Sequence, residues 1–343
     1  MMAWRALPVV VLALLLTGCM PRIAPPGPGA TTPHLTETRF VASDGLELYM
    51  RRWIPPTEPR AVMLAVHGFN DYSKAFDKVP GAPGVGPFLA ARGVAVYTYD
   101  QRGFGNSPHT GLWAGREALV NDFADFAAVL KRQHPDIPLY ALGESMGGAV
   151  VMTALARDNP PPVTAAVLAS PAVWARSTMP LLYRVALWVA AHVVPGWTPT
   201  GQSLGRQASD NIEMLRDNGR DPLFIKATRI DAVYGLSDLM DEALTSSSEV
   251  KAPLLYLYGR NDQIIPRKPT KEALKALTGG DANAVPAFYS NGWHMILRDK
   301  GASVVLNDVA AYLSDPKAPL PSGEDRDALA RLEAAKGECP PCR

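Results

Sequence analysis

The chain has 343 residues, 47% of them hydrophobic and 20% charged, a globular composition with enough length to bury one large core or two smaller ones. Lys and Arg number 34 against 33 Asp and Glu, so no broad basic field exists to hold a nucleic acid by charge alone. A disordered or fibrous chain is excluded on the same figures.

The N-terminus reads as a processing signal. Arg5 precedes an apolar run, Leu7 to Leu16, that ends in Thr17, Gly18 and Cys19, the charged, apolar, small-residue order of an export signal. The run is too short to span a bilayer comfortably. Leu16-Thr17-Gly18-Cys19 resembles the lipobox of bacterial lipoproteins, which implies a signal peptide over residues 1–18 and lipidation of Cys19. Membrane attachment through Cys19 is then expected. Met20 rather than Asp follows it, which points to the outer membrane, facing the periplasm, of a bacterial cell envelope. Residues 19–36 are rich in Pro, Gly and Thr, with almost nothing to bury. Such a stretch favours extended states, and the expectation is a tether about 40 to 50 Å long.

Downstream, Glu37 to Ile54 alternates apolar and polar residues around Asp44-Gly45, the pattern of a hairpin. Short apolar runs follow at Ala61–Val66, Gly93–Asp100, Leu139–Gly143, Val163–Ser170, Leu254–Gly259 and Val285–Ser290. Runs of that length fit strands buried on both faces. Helical segments are predicted between them, at Val85–Arg92, Glu117–Gln133, Met146–Arg157, Pro269–Leu277 and Val304–Leu313. In the second, Leu119, Phe123, Phe126, Ala127 and Leu130 recur at helical spacing. Strand alternating with helix predicts an α/β fold with a mostly parallel central sheet flanked by helices. The core is assigned to residues 37–172 and 251–314. The interruption at 173–250 reads as an inserted helical cap over the C-terminal edge of the sheet, where ligands of such sheets bind.

The strongest chemical signal is Leu139 to Gly148, where a buried strand runs into Gly143-Glu144-Ser145-Met146-Gly147 and then into a helix. That is the context of a nucleophile elbow, with glycines admitting the close approach of strand and helix around a strained Ser145. Serine needs a base to take its proton and an acid to orient that base. Of six histidines, His294 is preferred, because Asn291-Gly292-Trp293-His294 directly follows the last strand. Asp262 follows Leu254–Gly259 at another strand end, and the order Ser, Asp, His is the one expected on this scaffold. Asp299, close to His294, is the rival acid. The oxyanion that forms during acyl transfer needs two amide donors. Met146, after the nucleophile, supplies one, and Phe69 in His67-Gly68-Phe69 the other. His67 itself is read as shaping that turn, and Arg102 in the Asp100–Ser107 loop as pairing internally.

Together these pieces resemble the monoacylglycerol lipase and lysophospholipase branch of the α/β-hydrolases, the serine aminopeptidase S33-like group. The resemblance rests on His67-Gly68-Phe69, Tyr99 to Ser107, the Gly143 to Gly148 elbow, Tyr258 to Asp262 and Gly292 to Met295, and spans roughly Thr38 to Leu313. It implies an α/β-hydrolase fold, Ser145, Asp262 and His294 as the catalytic triad, and the Phe69 and Met146 amides as the oxyanion hole. It also implies a lipid or other small acyl ester as substrate, and no cofactor. Two departures bear on substrate: Glu144 stands where animal monoacylglycerol lipases have His, and Gln101 replaces the His of an Asp-His-x-Gly-His-Gly loop. An amidase on the same triad and a non-catalytic envelope scaffold stay open.

Pro180 to Gly196 is apolar on nearly every helical face. Such a helix is buried on both sides or meets lipid with one, and Leu182 and Trp188 are the candidates for lining an acyl-chain tunnel. Residues 315–343 form a Pro- and charge-rich tail ending Cys339-Pro340-Pro341-Cys342, which suits an inert disulfide. Four metal ligands cannot be assembled nearby, so no metal is expected. Oligomeric state is not legible.

Overall fold

The computed structural model describes residues 20–201, 205–280 and 282–335. Residues 1–19, Cys19 included, and the Cys339/Cys342 pair lie outside them. The described strands are β1 (His34–Leu35), β2 (Arg39–Val41), β3 (Glu47–Trp53), β4 (Ala61–Val66), β5 (Val94–Tyr99), β6 (Leu139–Glu144), β7 (Ala165–Ala169), β8 (Leu254–Gly259) and β9 (Ala284–Tyr289). They form one sheet in the order β1-β2-β3-β5-β4-β6-β7-β8-β9. β5, β4 and β6 to β9 run parallel, while β1 to β3 join at one edge as antiparallel strands. The central strands β4, β5, β6, β7 and β8 are buried at every position, which is why they read as unbroken apolar runs.

The helices are α1 (Val85–Ala90), α2 (Arg116–Gln133), α3 (Met146–Leu155), α4 (Leu181–Val193), α5 (Ile212–Arg220), α6 (Ile230–Thr245), α7 (Arg267–Gly279), α8 (Ala302–Ser314) and α9 (Ala328–Ala334). One apolar layer packs α2, α3, α6 and α7 on one face of the sheet, and a second packs α1 and α8 on the other. On the first face Phe40 stacks on Phe126 with ring centroids 4.5 Å apart, worth about 0.5–1.5 kcal/mol beyond area burial. α7 begins two residues before the expected Pro269. A proline in a first helical turn costs little, because amides there have no intrahelical acceptor. α4, α5 and α6 all fall between β7 and β8.

The N-terminal segment differs from expectation. Rather than extending away as a spacer, residues 22–35 lie along the core. Arg22 N–H bonds Asp231 Oδ2, Ala24 N–H the Trp113 carbonyl, Gly27 N–H Asp44 Oδ2, and the Ala30 and Thr31 amides share the Ser43 carbonyl. His34 and Leu35 then pair with β2. The segment offers few side chains to bury, but its prolines hold it extended in advance, so each backbone bond is made at reduced entropic cost. The described part of the C-terminal tail is likewise packed. Leu320 and Leu332 are buried, and the Glu324 carbonyl accepts the Phe288 amide, covering the open edge of β9.

Candidate active site

Ser145 stands between β6 and α3 with φ 53° and ψ −115°, a left-handed conformation that costs a non-glycine residue about 1–3 kcal/mol. The glycines around it make the turn possible. A Cβ on Gly147 would fall 2.0 Å from the Val66 carbonyl oxygen, and one on Gly143 would fall 2.5 Å from that of Gly147. The Ser145 amide bonds the Ala169 carbonyl at 2.9 Å, tying the turn to β7.

His294 and Asp262 arrive from loops that leave β9 and β8 at the same sheet edge. His294 Nε2 lies 3.0 Å from Ser145 Oγ and its Nδ1 lies 2.9 Å from Asp262 Oδ2. The other oxygen of Asp262 accepts the amides of Ile264 and Ile265, which fixes the carboxylate and so the ring. Asp299, the rival acid, turns away, bonding Ser209 Oγ and the Trp293 amide. Three side chains distant in sequence thus form one hydrogen-bonded chain.

The imidazole of His294 is buried, which lowers its proton affinity. The charge and hydrogen bond of Asp262, with Glu144 and Asp299 nearby, outweigh that and hold its pKa above 6.5. A base must be neutral to accept a proton, so the acid limb of kcat/KM on a soluble ester is expected above pH 6.5, activity rising with pH through it. A rate already flat at and below that pH would contradict this assignment. Burial also pushes Asp299 up, to about 7, against the bonds from Ser209 and Trp293.

Met146 is the first residue of α3, so its amide has no acceptor within the helix. Gly68 packs against Ser145, where an added Cβ would meet Ser145 Cβ at 3.3 Å, and Phe69 follows in the same cavity wall. His67 is fully buried. Its Nε2 accepts the Gln101 amide at 2.9 Å and its Nδ1 donates to the Gly68 carbonyl at 2.8 Å, which defines a neutral ring bracing this loop. The side-chain amide of Gln101 adds a bond to the His67 carbonyl. Arg102 forms paired bonds to Asp44 and to Asp122 and does not reach the site.

Ser145 and His294 open into a cavity of about 510 Å³ whose wall is mainly apolar, built by Phe69, Trp174, Met179, Leu236, Met240 and Ile264. Here the expectation for α4 needs correction. Leu182 and Trp188 are 74% and 55% exposed and point away from the cavity, while Tyr183 and Leu187 line it. Each residue turns a helix by 100°, so 183 and 187 share a stripe that 182 and 188 flank. With only Arg184 and His192 breaking the apolar pattern, periodicity gives a weak signal of which stripe faces in. Sequence reasoning also missed Asp71 and Arg298, which line the cavity beside Glu144. Each lies within four residues of a residue already singled out, Phe69 or His294, which is the one signal the sequence carried for them. Among the described residues no group of three or more His, Cys, Asp or Glu could hold a metal ion.

The family described as Serine aminopeptidase, S33, matches residues 57–301. The chain belongs to that family. Within it, the chain is 27% identical over 284 residues to a monoacylglycerol lipase of Mycolicibacterium smegmatis, covering 81% of this chain and 96% of that protein. It is 25% identical over 328 residues to the monoglyceride lipase of Mus musculus, covering 90% and 94%. Among solved structures, a soluble variant of the Saccharomyces cerevisiae monoglyceride lipase superposes with a TM-score of 0.65 at 20% identity, covering 84% of this chain and 98% of that one. The Paleococcus ferrophilus monoacylglycerol lipase gives 0.62 at 21%, covering 78% and 98%. The S33 protein therefore has the α/β-hydrolase fold, and it is a serine hydrolase acting on carboxylic esters.

Proposed function

We propose that this S33 hydrolase cleaves monoacylglycerols or closely related single-chain lipid esters, such as lysophospholipids, through a covalent acyl-enzyme. The observation that carries the reading is the apolar cavity opening at Ser145, a shape and lining suited to one acyl chain. Ser145 Oγ attacks the ester carbonyl carbon as His294 Nε2 takes its proton, and Asp262 stabilises the imidazolium. The negative oxygen that forms is held by the amides of Phe69 and Met146. The intermediate collapses as His294 returns the proton to the departing alcohol, leaving the acyl group on Ser145. Water then repeats the sequence, and the fatty acid leaves.

An aminopeptidase would need a free carboxylate for the substrate's amine. The two carboxylates of the described cavity wall, Asp71 and Glu144, are both ion-paired to Arg298, which favours the ester. The deciding experiment is a panel of monoacylglycerols, short nitrophenyl esters and aminoacyl amides, on protein beginning at residue 20. Faster turnover of the amides would overturn this reading.

The proposal extends to location. Lipidation at Cys19 would hold the protein on a bacterial envelope membrane, the outer one facing the periplasm, and α4 supports contact with lipid. Of its thirteen residues only Ala191 is buried, and Leu181, Leu182, Val185, Trp188 and Val193 are each more than half exposed, a patch of the kind that marks an interaction surface. No described helix is long and apolar enough to cross a membrane, and interfacial contact needs none. Trp188→Asp is then expected to lower hydrolysis of monoacylglycerol in vesicles at least about tenfold, because a charge opposes insertion. Hydrolysis of a soluble nitrophenyl ester should be nearly unchanged, and equal losses on both would contradict membrane contact.

A further inference from the structure

The hydrolytic mechanism uses Ser145, His294 and Asp262 and leaves unexplained a second buried constellation in the same cavity wall. Arg298 lies four residues after His294 and is 3% exposed. One guanidinium nitrogen sits 2.8 Å from Asp71 Oδ2 and another 2.8 Å from Glu144 Oε2. Both carboxylates are as buried as the arginine, at 4% and 2%. Asp71 closes the loop that carries Phe69, and its Oδ1 also takes the Tyr72 amide. Glu144 immediately precedes Ser145. Arg298 itself belongs to the loop that carries His294. One side chain therefore ties together the three loops that hold the donor amide, the nucleophile and the base. The carbonyl of Arg298 adds a fourth tie, accepting a bond from Asn211 Nδ2 at the start of α5.

Isolated buried charges are expensive, and ion pairs of this kind often add little to stability compared with an apolar filling. Burial raises the proton affinity of Glu144 and the Arg298 guanidinium opposes that; with both carboxylates ionised, two against one guanidinium give the cluster one negative charge in excess. We propose that Arg298 is a positioning residue for the ester hydrolysis, clamping the three catalytic loops through Asp71 and Glu144 while the cluster's excess negative charge favours the imidazolium of His294. The proposal rests on the reading of Ser145 and His294 as nucleophile and base. Arginine suits the role because its planar fork holds two carboxylates at once in fixed directions, which a lysine ammonium does not. The charges that act on His294 come from several elements: Asp262 after β8, Glu144 at the end of β6, and Asp299 on its own loop, with Arg298 and Asp71 completing the cluster.

The test compares the full-length protein with Glu144→Gln and Arg298→Lys on a short soluble nitrophenyl ester, from about pH 5 to pH 9, with active sites counted by a fluorophosphonate label. Glu144→Gln keeps size and one acceptor oxygen but removes a charge. It should move the acid limb of kcat/KM to lower pH by about half a unit or more. Arg298→Lys keeps the charge but loses the fork, and should lower kcat per labelled site about tenfold or more while KM changes less than about threefold. A purely structural cluster would lower the number of labelled sites and leave the limb and the kcat per site alone, and that result overturns the proposal. Parent protein that fails to take the label would instead sink the hydrolase reading, and this inference with it.

Discussion

Ser145→Ala is expected to leave a folded protein that takes up no fluorophosphonate and turns over acyl esters about 10⁴- to 10⁶-fold more slowly than the parent. The size of the loss follows from the chain of bonds at the site. Asp262 lies 2.9 Å from His294, and His294 lies 3.0 Å from the one hydroxyl, and without that hydroxyl neither has an atom to activate. The fold should survive, because the anchors of the turn are backbone groups. The Ser145 amide and carbonyl bond Ala169, Ala149 and Ala172, and alanine keeps all three. Circular dichroism and a thermal midpoint close to the parent's would establish this, and residual activity within a hundredfold of the parent would show that another nucleophile does the work.

Gly147→Ala is expected to act by the opposite route, destroying activity by disrupting the elbow. The new methyl carbon would lie 2.0 Å from the Val66 carbonyl oxygen, 2.5 Å from its carbon and 2.8 Å from the His67 carbonyl oxygen. All three are backbone atoms at the end of β4, so no side chain can swing aside, and α3 must move off the sheet. Overpacking a tight interior costs about 1–3 kcal/mol, and backbone atoms put this case at or above the upper end. The displaced segment also leads into Gly68 and Phe69, so the same shift pulls a donor amide from the nucleophile. A thermal midpoint within a degree of the parent's, with normal kcat, would refute the packing argument. The contrast between these two substitutions separates chemistry from architecture at adjacent turns of one motif.

Much of the architecture was legible because its signals are local. Strands buried on both faces announce themselves as apolar runs of five or six residues, and Ala61–Val66 and Leu254–Gly259 carry the expected bounds. The residues that meet at the site were legible for a related reason: in a parallel sheet strand ends share one edge, so Ser145, Asp262 and His294 are brought together by their positions after strands. What was not legible depends on direction rather than position. Leu182 and Trp188 face outward while Tyr183 and Leu187 face in, and a helix marked by only Arg184 and His192 among apolar residues gives a weak clue to which. Arg298 and Asp71 meet across more than two hundred residues of sequence, and no periodicity encodes that pairing. The docking of the N-terminal Pro-rich stretch leaves no mark in the sequence, because it rests on backbone amides that find carbonyl and carboxylate acceptors on the core, not on side chains to bury.

That docking changes the mechanics of whatever lies upstream. A free strand of this length would let the body drift tens of ångströms from its point of attachment and tumble there. Fastened at Asp231, Trp113, Asp44 and Ser43, it behaves instead as a bracket, and its outer end at Met20 sits in a groove with Val193 and Trp197, against the far end of α4. A pull on this end is therefore expected to reach α4, whose Tyr183 and Leu187 line the cavity, instead of being absorbed in a slack strand.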